Sequence, residues 1–132
     1  MKIANDLITL DELTEPTLFY NLKQRFQTDN IYTFIGNMLI SINPFKPLGH
    51  MFTAEEIERY RRMERQDRDQ PHLYSIASQA FRALVNDQGS QSIIISGESG
   101  AGKTEATKIL LNFFTSVSDK LDNEMDLVEA IL

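Results

Sequence analysis

The stretch from Ser92 to Thr104 constrains this chain more than any other. Ile93, Ile94 and Ile95 are consecutive and β-branched, the composition of a parallel strand buried on both faces. Gly97-Glu98-Ser99-Gly100-Ala101-Gly102-Lys103-Thr104 follows, with Gly97, Gly102, Lys103 and Thr104 at the spacing G-x-x-x-x-G-K-[ST]. Between a strand and a helix, such a loop can wrap successive backbone N–H groups around a phosphate. Glycine supplies the dihedrals and places no Cβ in the way. A helix beginning near Lys103 adds unpaired N–H groups and the positive end of its dipole. Lys103 then reads as a point charge for the β- and γ-phosphates of a nucleotide, and the Thr104 hydroxyl as a ligand for Mg²⁺. The competing reading is a glycine-rich turn that binds nothing. The strand legible before the loop and the helix legible after it favour the phosphate loop.

Composition narrows the partners. The 132 residues suffice for one domain with a core, and 42% hydrophobic with 24% charged residues is ordinary for a globular protein. No run of eighteen apolar residues occurs, so no membrane span is expected. Met1 to Asp6 leads to no apolar signal core, and cysteine is absent, which together favour an intracellular protein without disulfides. The net charge of −6 argues against nucleic acid as a main partner. It does not forbid a nucleotide, which this loop would hold through backbone dipoles and one lysine.

In chain order, Leu7, Ile8, Leu10 and Leu13 form a short apolar opening. Thr14 caps a helix with Pro16 in its first turn and Thr17 at N3, and Leu18, Phe19, Leu22 and Phe26 carry it to about Gln27. Ile31–Ile35 and Met38–Ile42 read as two strand segments joined at Gly36-Asn37 by a tight turn or a bulge. Asn43 to His50 is a loop punctuated by Pro44, Pro47 and Gly49. Thr53 caps a helix with Glu55 and Glu56 early. The mixed charges from Arg59 to Arg68 read as a solvated face with intrahelical pairs rather than a basic contact surface. Asp69-Gln70-Pro71 opens a core helix striped by Leu73, Ile76, Ala77, Ala80, Phe81, Leu84 and Val85, with His72 structural at its start. Asn86 to Ser90 ends it. After Thr104, the face Ala106, Ile109, Leu110, Phe113, Phe114 and Val117 predicts a helix to about Ser118, and Met125 to Leu132 a last one. The chain stops inside that apolar pattern, as a truncated piece of a longer product or a partial gene would.

These segments together resemble the myosin motor domain. Gly97 to Thr104 is the phosphate-loop wording typical of myosins. Pro71-His72-Leu73-Tyr74-Ser75-Ile76-Ala77 is similar to the helix leading into the loop strand. Ile31-Tyr32-Thr33-Phe34 with Ile42-Asn43-Pro44-Phe45-Lys46 is similar to the family's strand and adenine-side loop, and Leu13-Thr14-Glu15-Pro16 with Asn21-Leu22 to its early helix. The resemblance runs from about Asp6 to Leu132 and implies an α/β fold, a partial P-loop NTPase with a central loop strand flanked by helices.

The resemblance also implies roles. Gly97, Glu98, Ser99, Gly100, Ala101, Gly102, Lys103 and Thr104 would hold the phosphates of ATP, with the Ser99 hydroxyl near the γ-phosphate and Thr104 on Mg²⁺. Asn43, Pro44, Phe45 and Lys46 would flank the adenine, and Glu105 would lie near the nucleoside end. Two departures touch the adenine side. His50-Met51-Phe52 stands where the family carries a tyrosine, so Phe52 could stack without a hydroxyl, and Ala106 replaces a common asparagine. The two switch loops of the family, a strand ending in a metal-binding aspartate, the actin-binding cleft, converter and lever arm, and the optional N-terminal β-barrel do not appear.

Three functions follow. The first is the ATP-binding, N-terminal portion (residues 1–132) of a cytoplasmic, cytoskeleton-associated motor moving on actin, binding but not turning over ATP by itself. The second is a small nucleotide-binding or phosphotransferase module unrelated to motors, with Asp6, Asp11, Asp119 and Asp122 as acids by type only. The third is a non-catalytic interaction fragment.

Overall fold

A computed structural model describes residues 2–86 and 89–131, with side chains described as far as 124. The element order is α1 (Glu15–Gln27), β1 (Tyr32–Ile35), β2 (Met38–Ser41), α2 (Ala54–Arg62), α3 (Leu73–Val85) and α4 (Lys103–Ile131), with short 3-10 turns at Leu7–Thr9 and Gly49–Met51. No described helix is long and apolar enough to cross a membrane.

The opening of α1 is as its sequence dictates. The Thr14 side chain accepts from the Thr17 N–H, the Thr17 hydroxyl accepts from the Thr14 N–H, and Pro16 lies in the first turn. α1 buries polar residues most deeply, with Leu18, Leu22 and Phe26 half-buried beside them. Asn21 and Arg25, four residues apart, point inward, while Phe19 is 68% exposed. Asn21 accepts from the Ala4 N–H at 2.8 Å and donates to the Lys2 and Thr17 carbonyls. Arg25 donates to the Thr33 hydroxyl, the Asn5 side chain and the Tyr32 carbonyl. Buried polar groups persist only when their hydrogen bonds are met, and these two tie the N-terminal segment and β1 to the helix.

β1 and β2 form the expected antiparallel hairpin, Tyr32 opposite Ser41 through Ile35 opposite Met38, turning at Gly36 with φ 60°. Asp6 bridges Phe34 in parallel. The Asp6 carboxylate accepts from the Gly36 and Ile8 N–H groups and from Arg68, whose guanidinium lies 3.8 Å from the Phe34 ring centroid. Burial pushes this carboxyl up, but those donors outweigh it and hold it below its ordinary value.

The strand expected at Ile93–Ile95 has no hydrogen-bond ladder among the described residues, whose sheet is β1–β2 alone. Ile93 and Ile95 pack against the core, but Ile94 is 90% exposed, so the segment is not buried on both faces. A cavity of about 380 Å³ is lined by Met38, Leu39 and Ser41 together with Ser92 to Ser96, so the segment and β2 border a common space without a ladder between them.

The charged run from Arg59 to Arg68 forms the expected intrahelical pairs only within α2; Arg68 lies beyond the helix and reaches Asp6 and the Phe34 ring instead. Thr53 caps α2, and Glu56–Arg59, Glu58–Arg61 and Glu58–Arg62 pair along it. α3 starts at Leu73, later than Asp69-Gln70-Pro71 suggested, because the buried His72 is its N-cap. Its stripe also stops early: Leu84 and Val85 are 55% and 51% exposed. The turn expected after it lies partly outside the described residues, at 87 and 88.

Where two helices were expected after the loop, α4 runs unbroken from Lys103 to Ile131. Asp119 to Glu124 contains neither glycine nor proline, so nothing local stops the helix. Lys120 pairs with Glu58, and Glu124 lies 3.5 Å from Arg61, which ties this stretch to α2. The donors on Glu58, Arg61 first, hold its carboxyl far below the usual range. The side chains of the apolar pattern at 125–132 lie outside the described residues. Glu58→Gln removes the charge shared by Arg61, Arg62 and Lys120. Amide exchange over 119–124, read by hydrogen-exchange mass spectrometry, is expected to quicken roughly two- to fivefold while 103–118 stay protected.

The core joins these elements through aromatic rings. Tyr32 and Tyr60 flank His72, His72 packs on Tyr74 at 4.5 Å, and Tyr74 meets Phe113 of α4 at 5.0 Å between centroids. Leu110 and Val117 continue the buried stripe of α4 on either side of Phe113.

Candidate functional site

The loop between Ser96 and α4 is exposed throughout except for the half-buried Gly102. Its backbone requires its glycines. Gly100 and Gly102 take φ 83° and 100°, a region L side chains rarely adopt. At Gly97 the constraint is space, since a Cβ there would lie 3.2 Å from the Ala101 Cβ. A turn between the Ala101 N–H and the Glu98 carbonyl, 3.1 Å, folds the crest.

The loop runs directly into α4. The Ala106 N–H donates to the Gly102 carbonyl at 3.0 Å, the first i→i−4 bond of the helix, so Gly102 occupies the cap. A glycine there brings no side-chain acceptor, and the first-turn N–H groups of Lys103, Thr104 and Glu105 stay available to an anion. Lys103 folds back over the loop, its ammonium donating to the Gly97 carbonyl. The amine is thus held at the start of the loop. Thr104 and Glu105 are exposed, and Glu105 lies 3.3 Å from Lys108, one turn on. Glu98 and Ser99 are exposed on the crest.

This arrangement suits a polyphosphate: positive dipole, free N–H groups and one lysine on a surface with no Cβ at its glycine positions. A divalent cation could take the Thr104 hydroxyl. Among the described residues no group of three or more His, Cys, Asp or Glu side chains could hold one.

The residues expected on the adenine side separate. Asn43 reaches the loop, its side-chain amide donating to the Gly100 carbonyl at 3.0 Å. Pro44 is half-buried beside it. Phe45 is 84% exposed with φ 53°. Lys46 turns away to Asp29 at 2.7 Å. Phe52, which could have stacked on a base, instead packs edge-on against His72 and Tyr74 in the core. Ala106 lines the cavity between β2 and the loop segment. A larger cavity of about 670 Å³, among Met63, Arg65, Ser75, Gln79 and Arg82, touches no residue of the loop at 97–104.

Sequence reasoning missed the Asn43–Gly100 contact, because the partners lie 57 residues apart and the acceptor is a backbone carbonyl. It also missed the second role of His72 as cap and aromatic hub. A histidine just before an apolar helical stripe was the available signal.

Residues 4–132 match the family described as myosin head (motor domain). The chain is 40% identical to Myosin-2B of Naumovozyma castellii over 124 residues, which is 94% of this chain and 9% of that protein. It is 39% identical to the Myosin-M heavy chain of Dictyostelium discoideum over 118 residues, 89% of this chain and 7% of that one. It is 44% identical to Unconventional myosin-Ia of Gallus gallus over 126 residues, 96% of this chain and 12% of the relative. The chain therefore spans about a tenth of the length of the curated relatives it matches.

Proposed function

The chain belongs to the myosin head (motor domain) family, and from that premise we propose that it is the nucleotide-binding, N-terminal portion of an actin-based motor, built on a P-loop NTPase fold. The observation that carries the reading is the glycine-capped start of α4 with Lys103 folded over the Gly97 carbonyl. In this reading the ammonium leaves that carbonyl for the β- and γ-phosphates of ATP. The first-turn N–H groups of α4 and the loop glycines take the remaining oxygens, and the Ser99 hydroxyl faces the γ-phosphate. Thr104 would hold Mg²⁺ through its hydroxyl, and the metal would supply charge neutralisation to the bound phosphates.

These residues bind and orient. Of the acids at or proposed for the loop, Glu105 faces Lys108, Asp6 is held by Arg68, and Glu98 is exposed on the crest; we take none of them as the group that positions an attacking water. The isolated chain therefore binds Mg-ATP and does not turn it over; hydrolysis, actin binding and movement belong to a complete motor associated with the cytoskeleton. A phosphotransferase unrelated to motors would need an acidic metal ligand at the loop, and of its candidates Asp6 is committed at the β1–β2 hairpin.

Titration of the chain with a fluorescent ATP analogue and Mg²⁺ tests this, beside Lys103→Ala and with circular dichroism on both. Saturable binding is expected, weakened at least about tenfold in the variant, the worth of one charge-assisted contact, with both chains folded. A folded wild type that does not bind overturns the reading. Steady phosphate release that Lys103→Ala abolishes overturns the absence of turnover.

A further inference from the structure

We infer that Asn43 is a positioning residue of the phosphate loop, acting through the Gly100 carbonyl and not through the base. The inference rests on the nucleotide reading above. Both ends of the Asn43 amide are engaged by backbone groups of this chain. Nδ2 donates to the Gly100 carbonyl at 3.0 Å, and Oδ1 accepts from the Phe45 N–H at 2.9 Å. The second contact closes an Asx turn, and Phe45 at its end takes the left-handed φ of 53°. The Asn43 Cβ also backs the loop, 4.0 Å from where a Cβ on Gly102 would stand.

The loop needs such a hold. Gly97, Gly100 and Gly102 leave it many accessible conformations, and the one present turns the Gly97 carbonyl to Lys103. The Ala101–Glu98 turn fixes the crest internally. The Asn43 amide fixes the same crest to the body of the protein, through the segment that continues β2 and is held to Ile31 by the Ile42 N–H. One side chain thus links the hairpin to the curvature of the phosphate loop. A residue that shapes the loop must matter for any polyphosphate, with or without a base attached.

Asn43→Ser separates the two roles. Serine keeps a neutral acceptor for the Phe45 N–H but is too short to reach Gly100. Affinities for the fluorescent ATP analogue with Mg²⁺ and for inorganic tripolyphosphate with Mg²⁺ are measured on wild type, Asn43→Ser and Lys103→Ala, with amide NMR of the ligand-free chains. The expected result is a loss of roughly fivefold for both ligands in Asn43→Ser, the worth of one neutral hydrogen bond, with displaced Ala101 and Gly102 amide signals. A loss confined to the ATP analogue makes Asn43 a base contact and overturns the inference. Unchanged affinities for both ligands overturn it too. Failure of the nucleotide reading looks different: neither ligand binds the wild type, or Lys103→Ala binds as well as wild type. In that case the ligand-free signals still decide the bridge, and unshifted Ala101 and Gly102 amides overturn it.

Discussion

Phe113→Ala is expected to lower the unfolding free energy by about 3–5 kcal/mol. The ring is fully buried and meets Tyr74 and Phe114 at 5.0 and 6.0 Å between centroids. Removing it takes away the transfer term of a large apolar group and leaves a void between α3 and α4, which are joined there by Leu110 and Val117 as well. A domain of this size has about 5–15 kcal/mol in total, so the variant sits near the unfolding threshold. Urea unfolding followed by circular dichroism checks it, beside Leu111→Ala. Leu111 neighbours Leu110 but is 61% exposed, and its loss should fall within about 0.5 kcal/mol. Comparable costs for the two variants would mean that α4 does not lie on α3 through this face. The consequence reaches the site, because the Phe113 face anchors the helix whose first turn is the candidate phosphate end.

Between pH 6.5 and about 4 the fold is expected to lose about 3 kcal/mol through His72 alone. Burial lowers this imidazole to about 4 from its ordinary 6.5, with Arg59 adding slightly, while the Met51 contact and Glu56 act the other way. The geometry explains why the neutral ring is required. Nδ1 accepts from the Tyr74 N–H at 2.9 Å, so the ring proton sits on Nε2 and donates to the Met51 carbonyl at 2.8 Å. Protonating Nδ1 would remove the cap of α3 and place a charge among Tyr32, Tyr60 and Tyr74. The sign follows from proton uptake. Between the two pKa values the unfolded chain binds the proton and the folded one does not, so stability rises with pH across that window and falls on acidification.

Asp6 and Glu58 are held below their ordinary values of 3.8 and 4.5, so their contributions are present above that range and are lost as pH falls below it. They leave the window above about 4.5 to His72. His72→Asn keeps a short acceptor at the cap and does not titrate. Thermal or urea unfolding from pH 7 to 4.5 should therefore show a flattened curve in the variant, at lower stability at neutral pH because the ring contacts are gone. An identical slope in both proteins would remove His72 as the source.

Much of the chain was legible because its signals are local. Thr14, Pro16 and Thr17 specify the start of α1 within four residues, and Gly36-Asn37 between two β-branched and apolar runs specifies the hairpin. The spacing of Gly97, Gly102, Lys103 and Thr104 specifies a tight loop feeding a helix. Each of these is decided by dihedral preference or by hydrogen bonds between near neighbours. The most deeply buried positions of α1 were not legible. Leu18, Leu22 and Phe26 have the periodicity of a core face, but Asn21 and Arg25 have partners at Lys2, Ala4, Asn5 and Thr33 that only the fold assembles.

The same distinction divides the candidate site. The sequence by itself determined that a glycine-rich loop precedes a helix with Lys103 and Thr104 in its first turn, because glycine dihedrals and helix periodicity are properties of adjacent residues. Tertiary structure alone decided three other things. It brought Asn43 to Gly100, turned Lys46 to Asp29, and drew Phe52 into the aromatic core. It also decided that Ile93–Ile95 forms no ladder with β2: an isoleucine run states a preference for pairing, but a ladder needs a neighbouring edge at hydrogen-bond distance. These are contacts between distant segments, and their free energy depends on how the whole chain excludes water and satisfies its buried polar groups, which no short stretch of sequence encodes.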